Sequence, residues 1–185
     1  IGGAKISTKI GLIKNLITKF DNIIIVGAMA NNILNYKGNP IGKSFIEENC
    51  KSVIDDIFET AKKNSCLINY PEDVVVGKSM NDRAIIKELN EVSNDDLILD
   101  IGPKTIKKIK DIIEKSETIL WNGPAGYFEN PNFANGCYEI TKKIIEKNKK
   151  SQIYSIAGGG DTIAVLNKMN AIDNFNFVST AGGAF

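Results

Sequence analysis

Two hydrophobic patterns alternate along this chain. In residues 9–20 the apolar positions Ile10, Ile13, Leu16 and Ile17 recur at spacings of three and four, which is the pattern of an amphipathic helix. Short unbroken runs of β-branched residues, such as NIIIV at 22–26, indicate buried strands instead. The chain is therefore predicted to alternate helices with buried strands.

Applied along the whole sequence, these patterns predict the following elements. Helices are expected over 9–20, 29–37, 47–64, 105–115, 134–147 and 161–169. Strands are expected over 22–26, 66–69, 74–76, 97–99, 117–121, 152–156 and 176–179. The segment 77–96 fits neither pattern well and is expected to form an antiparallel excursion at one edge.

The predicted strands are continuously apolar, as in sheets that helices cover on both faces. Repetition of strand, loop and helix then favours a parallel sheet. We predict a single α/β domain with a doubly wound, Rossmann-like sheet of about six parallel strands and helices on both faces. No internal repeat or low-complexity linker divides the chain.

Glycine-rich loops follow most of the predicted strands or precede the first helix. Ligands of such sheets bind beyond the carboxyl ends of the strands, where loops enter helices. The loops expected to meet there are Gly2-Gly3-Ala4-Lys5, Gly27-Ala28, Asp100-Ile101-Gly102-Pro103, Asn122-Gly123-Pro124-Ala125-Gly126, Gly158-Gly159-Gly160-Asp161-Thr162 and Ser179-Thr180-Ala181-Gly182-Gly183.

The loop GGGDT at 158–162 has the clearest chemistry. Its glycines let backbone N–H groups approach an anion at a helix N-terminus, where the helix dipole is favourable. Asp161 has two interpretations: it could cap the helix, or it could hold Mg²⁺ beside a phosphate. The loop is neither a Walker A sequence nor a GxGxxG fingerprint.

Other motifs allow both a functional and a structural interpretation. Lys5 and Lys9 lie four residues apart near the start of a helix, where a bound anion would compensate their charge. They could equally be exposed surface lysines. WNGPAGYFE at 121–129 could be a packed loop with Trp121 in the core, and DIGP at 100–103 a simple helix-entry turn.

Composition excludes several classes of function. The chain has no histidine, so catalytic triads that use histidine are excluded. Its 23 basic and 22 acidic residues give a net charge of +1, so we expect no nucleic-acid partner. Three widely spaced cysteines indicate a reducing compartment rather than a disulfide framework or zinc site. With no long apolar run and no signal-peptide pattern, we expect a cytoplasmic monomer without a membrane partner.

The motifs occur in a distinctive order. The series is GGAK with a second lysine four residues on, GKSFIEE, DIGPKT, WNGPAGYFE, GGGDT and VSTAGGAF. In this order the motifs closely resemble the carboxyl-terminal domain of phosphoglycerate kinase. The resemblance covers essentially all 185 residues. It implies that residues 1–185 form a nucleotide-binding domain and that the amino-terminal substrate domain, with its arginines for 3-phosphoglycerate, is absent. Both ends of the chain look cut, so we expect a fragment of a longer protein.

The resemblance also implies roles for individual residues. The catalytic residues would be Lys5, which meets the transferring phosphoryl group, Gly160 and Gly183; Gly182 would also lie by the reacting phosphates. Asp161 would hold Mg²⁺. The nucleotide would contact Gly3, Ala4, Lys9, Gly27, Ala28, Ile46, Ile98, Leu99, Asn122, Gly123, Pro124, Gly126, Tyr127, Glu129, Gly158, Gly159, Gly160, Asp161 and Thr162. Within that set, Ile46 and Leu99 would line the adenine slot, and Glu129 would bond the ribose hydroxyls.

The implied activity is reversible phosphoryl transfer between 1,3-bisphosphoglycerate plus ADP and 3-phosphoglycerate plus ATP, with Mg²⁺. The fragment alone is expected to bind ADP or ATP without turnover. Thr8, Ala28 and Ile98 depart from the usual family residues, which keeps open a non-catalytic nucleotide-binding module or degenerate homologue. A dehydrogenase-type Rossmann domain is disfavoured because GxGxxG is missing.

Overall fold

The computed structural model describes residues 1–150 and 152–179. Within these residues the helices are α1 (Ile10–Ile17), α2 (Ala28–Tyr36), α3 (Lys51–Lys63), α4 (Pro103–Lys115), α5 (Asn135–Lys149) and α6 (Gly160–Lys168). The strands are β1 (Asn22–Ile24), β2 (Leu67–Asn69), β3 (Asp73–Gly77), β4 (Ile85–Glu88), β5 (Leu97–Ile101), β6 (Thr118–Asn122), β7 (Tyr154–Gly158) and β8 (Phe177–Ser179). Each predicted helix and strand is present, with shifts at the ends.

The parallel strands form one layer, in which residues 1–2 connect two groups of strands. β1 pairs with β2, and β6, β7 and β8 pair in that order, all in parallel. Between them, the Ile1 α-amino group donates to Ile24 O at 2.7 Å and Val26 N donates to Ile1 O at 2.9 Å. Gly2 N donates to Asn122 O at 2.8 Å. The order is therefore β2, β1, residues 1–2, β6, β7, β8, in agreement with the predicted α/β, Rossmann-like class.

Helices pack on this layer around two apolar cores. One core joins Ile13 of α1, Ile33 of α2 and Ile57 of α3 to Ile23 of β1. The other joins α4, α5 and α6 to β6 and β7, and Trp121 is buried within it. The apolar faces that the sequence predicted for the helices are therefore buried.

The antiparallel excursion is larger than the sequence indicated. β3 pairs antiparallel with both β4 and β5, in the order β4, β3, β5. Val74 and Val76 of β3 pack with Leu34 and Val92 in a small core of their own. The strands predicted at 74–76 and 97–99 therefore belong to this second sheet rather than to the parallel one.

The helix predicted from residue 47 begins only at Lys51. Asn49 has a φ of 58°, a left-handed conformation that interrupts a helix. Glu47 N donates instead to the side-chain oxygen of Asn32, 2.8 Å away. A tertiary contact has therefore overridden the local helical pattern.

A groove of about 860 Å³ separates β1 from β6 on the amino-terminal side of Ile1. Leu16, Ile109, Ile113 and Ile144 are among the apolar side chains that line it. The α-amino group of Ile1 lies at the end of this groove, where burial and the nearby charge of Lys9 lower its pKa to about 5. In the described part of the chain, every helix is too short or too polar to cross a membrane.

Candidate functional site

A cleft of about 260 Å³ opens where the carboxyl ends of the parallel strands meet the second sheet. Its walls come from the loops after residues 1–2, β1 and β6 and from the end of β5. The predicted site residues that line it are Gly3, Ala4, Gly27, Ala28, Ile98, Leu99, Pro124, Gly126, Tyr127, Glu129 and Asp161. Gly3 and Asp161, which are 158 positions apart in the sequence, therefore share one cavity, as expected for loops at one edge of the sheet.

Glycines allow the backbone segments beneath this cleft to touch. Gly123 has a φ of 98°, and a Cβ built on it would lie 2.2 Å from Gly2 O. A Cβ on Gly27, whose φ is 69°, would lie 3.0 Å from Pro124 O. Neither the backbone conformation nor the space would accept a larger residue at Gly123. These glycines bring the loops after β1 and β6 together.

Lys9 lies beside the carboxyl end of β6. Its ammonium donates to Gly2 O at 2.8 Å and to the side-chain oxygen of Asn122 at 2.6 Å. Partial burial lowers the pKa of Lys9, and the charge of Asp161 acts in the opposite direction. Asn122 also neighbours Gly159, on which a Cβ would lie 3.4 Å from Asn122 Nδ2. Lys9, Asn122 and Gly159 thus form a row across the ends of β6 and β7.

The N-terminus of α6 lies at the same edge. The helix begins at Gly160 after Gly159, whose φ is 91°. The N–H groups of Gly160, Asp161 and Thr162 have no acceptor among the described residues. Asp161 lies in the first turn with an exposed side chain, and it is not the N-cap residue, so the capping interpretation is wrong. An open, electropositive helix end with a nearby carboxylate remains.

Thr162 has a structural contact that its motif did not reveal. Its side chain is fully buried, and its hydroxyl accepts a hydrogen bond of 2.7 Å from Gly123 N. The hydroxyl therefore holds the WNGP loop against α6. The N–H of Thr162 is left without a partner among residues 1–150 and 152–179.

Carboxylates of the protein itself occupy two other helix N-termini near the cleft. Asp73 accepts from Lys104 N and Thr105 N at the start of α4, so DIGP is a helix-entry turn. Buried Asp100 accepts from Gly136 N in the first turn of α5. Burial raises the pKa of Asp100 to about 7. These ends offer less to an external anion than the end of α6 does.

Two residues that were not predicted line the cleft, whereas Ile46, which was predicted, is not among its lining residues. Ile46 is exposed and lies outside the cavity, whereas its neighbour Phe45 lines it. Asn31, in the first turn of α2, lines the cavity too and donates from Nδ2 to Phe45 O at 3.1 Å. The motif GKSFIEE contains Phe45, but no local pattern marked Phe45 or Asn31 as a cleft residue, because their contact joins a helix to an irregular loop 14 residues away.

The remaining predicted residues lie around the cleft or beyond the described part of the chain. Lys5 is exposed and directly follows Ala4, which lines the cavity. Gly158 is buried at the end of β7. Gly182 and Gly183, predicted beside the reacting phosphates, lie outside the described residues.

Comparison with known proteins identifies the family. The model of the phosphoglycerate kinase family matches residues 1–185. The chain belongs to the phosphoglycerate kinase family. It is 41% identical to the phosphoglycerate kinase of Zymomonas mobilis and 42% identical to that of Wolbachia pipientis from Culex pipiens, in both cases over the whole chain. It spans 47% of the length of each of these curated relatives.

Solved structures of phosphoglycerate kinases share its fold. The enzyme from Coxiella burnetii superposes with a TM-score of 0.93 at 38% identity, covering 99% of this chain and 47% of that one. The enzyme from Pyrococcus horikoshii gives a TM-score of 0.77 at 28% identity, covering 99% of this chain and 46% of that one. The resemblance found in the order of the motifs is therefore confirmed.

Proposed function

We propose that this chain is the nucleotide-binding, carboxyl-terminal domain of a phosphoglycerate kinase and that it binds MgADP or MgATP in the cleft. The bound nucleotide would take part in reversible phosphoryl transfer between 1,3-bisphosphoglycerate and ADP, giving 3-phosphoglycerate and ATP. One observation carries the proposal. The cleft joins an apolar wall to the open N-terminus of α6, beside Lys9.

The apolar end of the cleft suits the adenosine moiety. Ala28, Ile98 and Leu99 line it and present mainly hydrocarbon to a planar base. Pro124 and Glu129 also line the cleft, as does Asp161 of α6. Glu129 is exposed, and its carboxylate can accept hydrogen bonds from the ribose hydroxyls.

The polar end suits the phosphates. The N–H groups of Gly160 and Thr162 point their positive ends out of α6, where an anion is favoured. Lys9 is partly desolvated, and among the described residues its ammonium donates only to neutral oxygens: Gly2 O, Asn122 O and Asn122 Oδ1. A phosphate oxygen would offer it a charged acceptor, and such bonds are stronger than neutral ones. Lys5 lies at the mouth, where it would meet the transferring phosphoryl group.

The donor set fits a magnesium ion that arrives with the nucleotide. The Asp161 carboxylate is exposed and has no hydrogen-bond or ion-pair partner among the described residues. Mg²⁺ is commonly held by one or two carboxylates together with phosphates and water. Asp161 would hold it, and the ion would supply neutralisation of phosphate charge there.

In the proposed reaction this chain would position the phosphates and would not transfer protons. In the direction that consumes ATP the nucleophile is a carboxylate, which is already ionised near pH 7, so no general base is needed. That agrees with a chain that has no histidine. Lys5, Lys9 and the N–H groups of α6 would align the phosphates and stabilise their charge.

Calorimetric titration tests the binding proposal. ADP is titrated into the chain with and without Mg²⁺, and into the Asp161→Asn variant, which keeps the side-chain shape but loses the charge. We expect a dissociation constant in the micromolar range, about −8 kcal/mol, and a Mg²⁺ dependence that the variant lacks. Folded protein that binds no ADP would contradict the proposal. Binding of NADH instead would favour the dehydrogenase alternative.

Kinase assays separate the enzyme from a non-catalytic module. We expect the 185-residue chain to bind ADP without turnover, because the arginines expected to hold 3-phosphoglycerate are not part of it. Turnover at a normal rate by this chain alone would contradict that expectation. The same chain joined to the amino-terminal domain of a related kinase should be active, whereas an inactive but ADP-binding fusion would support the module.

A further inference from the structure

A carboxylate from a distant loop holds the turn that follows Lys5. The short 3₁₀ turn Ser7–Lys9 precedes α1, and its N-cap residue, Ile6, offers no side-chain cap. Glu47 supplies the missing acceptor: it accepts a hydrogen bond of 3.1 Å from Ser7 N and another from the Ser7 hydroxyl. The two partners are 40 residues apart in the sequence, so their contact ties two separate segments together.

The ionisation of Glu47 reflects this contact. The hydrogen bond from the Ser7 hydroxyl lowers the pKa of Glu47, and the backbone N–H groups of Ser7 and Ile6 act in the same direction against partial burial. The charge of Lys5 lowers that pKa too, but by less than these hydrogen bonds. The carboxylate is therefore ionised near pH 7, and its main link to Lys5 is the turn rather than direct pairing.

Glu47 is itself anchored to the body of the domain. Its N–H donates to the side-chain oxygen of Asn32 at 2.8 Å, and only 2% of Asn32 is exposed. The thiol of Cys50 donates to the same oxygen and to Glu47 O, both at 3.2 Å. The carboxylate therefore starts from a fixed position beside α2.

The backbone of Lys5 is held on both sides. Before it, Gly3 O accepts from Met29 N at 2.8 Å. After it, the carboxylate holds Ser7, and Lys5 O itself accepts from the Thr8 hydroxyl at 2.9 Å. The side chain of Lys5 is exposed, so its own torsions are the freedom that remains. A fixed backbone reduces the entropy that the lysine loses when its ammonium binds an anion.

We propose that Glu47 is a positioning residue: by holding Ser7 it fixes the backbone of Lys5, so that the Lys5 ammonium reaches the transferring phosphoryl group of bound ATP. This inference rests on the proposed function and adds a residue that acts on the same site without contacting the nucleotide. ADP lacks that phosphoryl group. Loss of the positioning should therefore weaken the binding of MgATP and leave the binding of MgADP nearly unchanged.

Calorimetric titration of the 185-residue chain with MgATP and MgADP measures the ATP preference, which is the ratio of the two affinities. Glu47→Gln loses the charge and one of the two acceptor oxygens, so we expect the ATP preference to fall at least about threefold. An unchanged preference, with or without weaker binding of both nucleotides, would show a purely structural contact and overturn the inference. A higher preference would show that Glu47 acts only as a charge that repels phosphate, and would overturn it too.

Lys5→Met tests whether the effect passes through Lys5. This variant loses the contact with the transferring phosphoryl group, so its ATP preference should fall by at least as much as that of Glu47→Gln. In the double variant, Glu47→Gln should change the preference of Lys5→Met by less than about 1.5-fold, because the group that Glu47 positions is gone. A second fall as large as the first, or no effect of Lys5→Met by itself, would overturn the inference.

Two further variants separate the hydrogen bonds from the charge. Ser7→Ala removes the hydroxyl donor and no charge, so it should lower the ATP preference, but by less than Glu47→Gln does. Glu48→Gln removes the charge of the exposed neighbouring residue and should leave the preference unchanged. A normal preference in Ser7→Ala, or an equal fall in Glu48→Gln, would overturn the inference.

The unaltered chain distinguishes the two levels of the proposal. Urea unfolding checks that the parent and each variant are folded. A folded parent that binds neither nucleotide would overturn the proposed function and this inference with it. A parent that binds both, with variants that keep its ATP preference, would overturn the role of Glu47 alone.

Discussion

The ammonium of Lys9 lies 2.6 Å from the side-chain oxygen of Asn122, although 113 residues separate them in the chain. This contact ties the entry of the first helix to the end of β6. It places a cation within the field of Asp161, which works against the lowering of the pKa of Lys9 by burial. The end of the cleft proposed to hold the phosphates is therefore assembled from three distant segments.

Replacement of Lys9 should weaken nucleotide binding far more than it weakens the fold. In Lys9→Met the chain keeps a side chain of similar length but loses the charge, so ADP affinity should fall about tenfold or more. Lys62→Met is the matched control, since Lys62 is exposed in the last turn of α3 and is not among the residues that line the cleft. Calorimetry measures the affinities, and urea unfolding checks stability. Equal effects of the two substitutions on ADP binding would refute the role of Lys9.

Alanine should be poorly tolerated at Gly123. It would have to adopt a positive φ, and its Cβ would approach Gly2 O to 2.2 Å. We expect the free energy of unfolding to fall by about 2 kcal/mol or more. Gly11→Ala, on an exposed face of α1 with no atom within 4 Å of the new Cβ, should raise stability by about 0.5–1 kcal/mol. Urea denaturation compares them, and similar values for both would contradict the close approach.

The buried carboxyl of Asp100 should make stability fall as the pH rises. Burial raises its pKa to about 7 from an ordinary value of 3.8, so between these values the folded state binds more protons than the unfolded state. Its contribution is complete below about pH 4 and is lost as the pH rises through about 7. Asp100→Asn stays neutral, so the stability of the variant relative to the parent should increase over this range.

Unfolding curves at several pH values measure that difference. The α-amino group of Ile1, whose pKa is lowered to about 5, contributes the opposite slope up to about pH 8, but it is common to both proteins and cancels. Asp111→Asn, which removes an exposed carboxylate of α4, is the control for a change of net charge. Parallel curves for the parent and Asp100→Asn would contradict the raised pKa.

An apolar extension before Ile1 should stabilise the chain. The groove between β1 and β6 lies where residues before Ile1 would run. The hydrogen bonds of Ile1 with Ile24 and Val26 would align such residues parallel to β1. An added Val-Ile-Val-Val would fill this groove as a strand and replace the buried α-amino group by a peptide N–H. We expect a gain of about 2 kcal/mol or more. A Gly-Ser-Gly-Ser extension removes the α-amino group without filling the groove, so equal gains would show that filling contributes nothing.

The sequence predicted the parts of the site that depend on topology. Parallel strands must present their carboxyl ends at one edge, so the loops at Gly27, Pro124 and Asp161 could be placed together from their order alone. The open N-terminus of α6 followed from GGGDT, because glycines before a helix leave its first N–H groups accessible.

Other features of the site could be known only from the tertiary structure. Each depends on a single contact between two segments that have no local sequence pattern to indicate it. Asp73 caps α4, the Thr162 hydroxyl accepts from Gly123 N, and Phe45 rather than Ile46 faces the cleft. Hydrophobic period and turn chemistry report which face of an element is buried, but not which polar atom it meets there. The alternation of helices and strands, and the edge at which the loops after the parallel strands meet, were therefore determined by the sequence itself. That 74–76 and 97–99 belong to a second sheet, and which partner each polar group has, were fixed only when distant segments packed together.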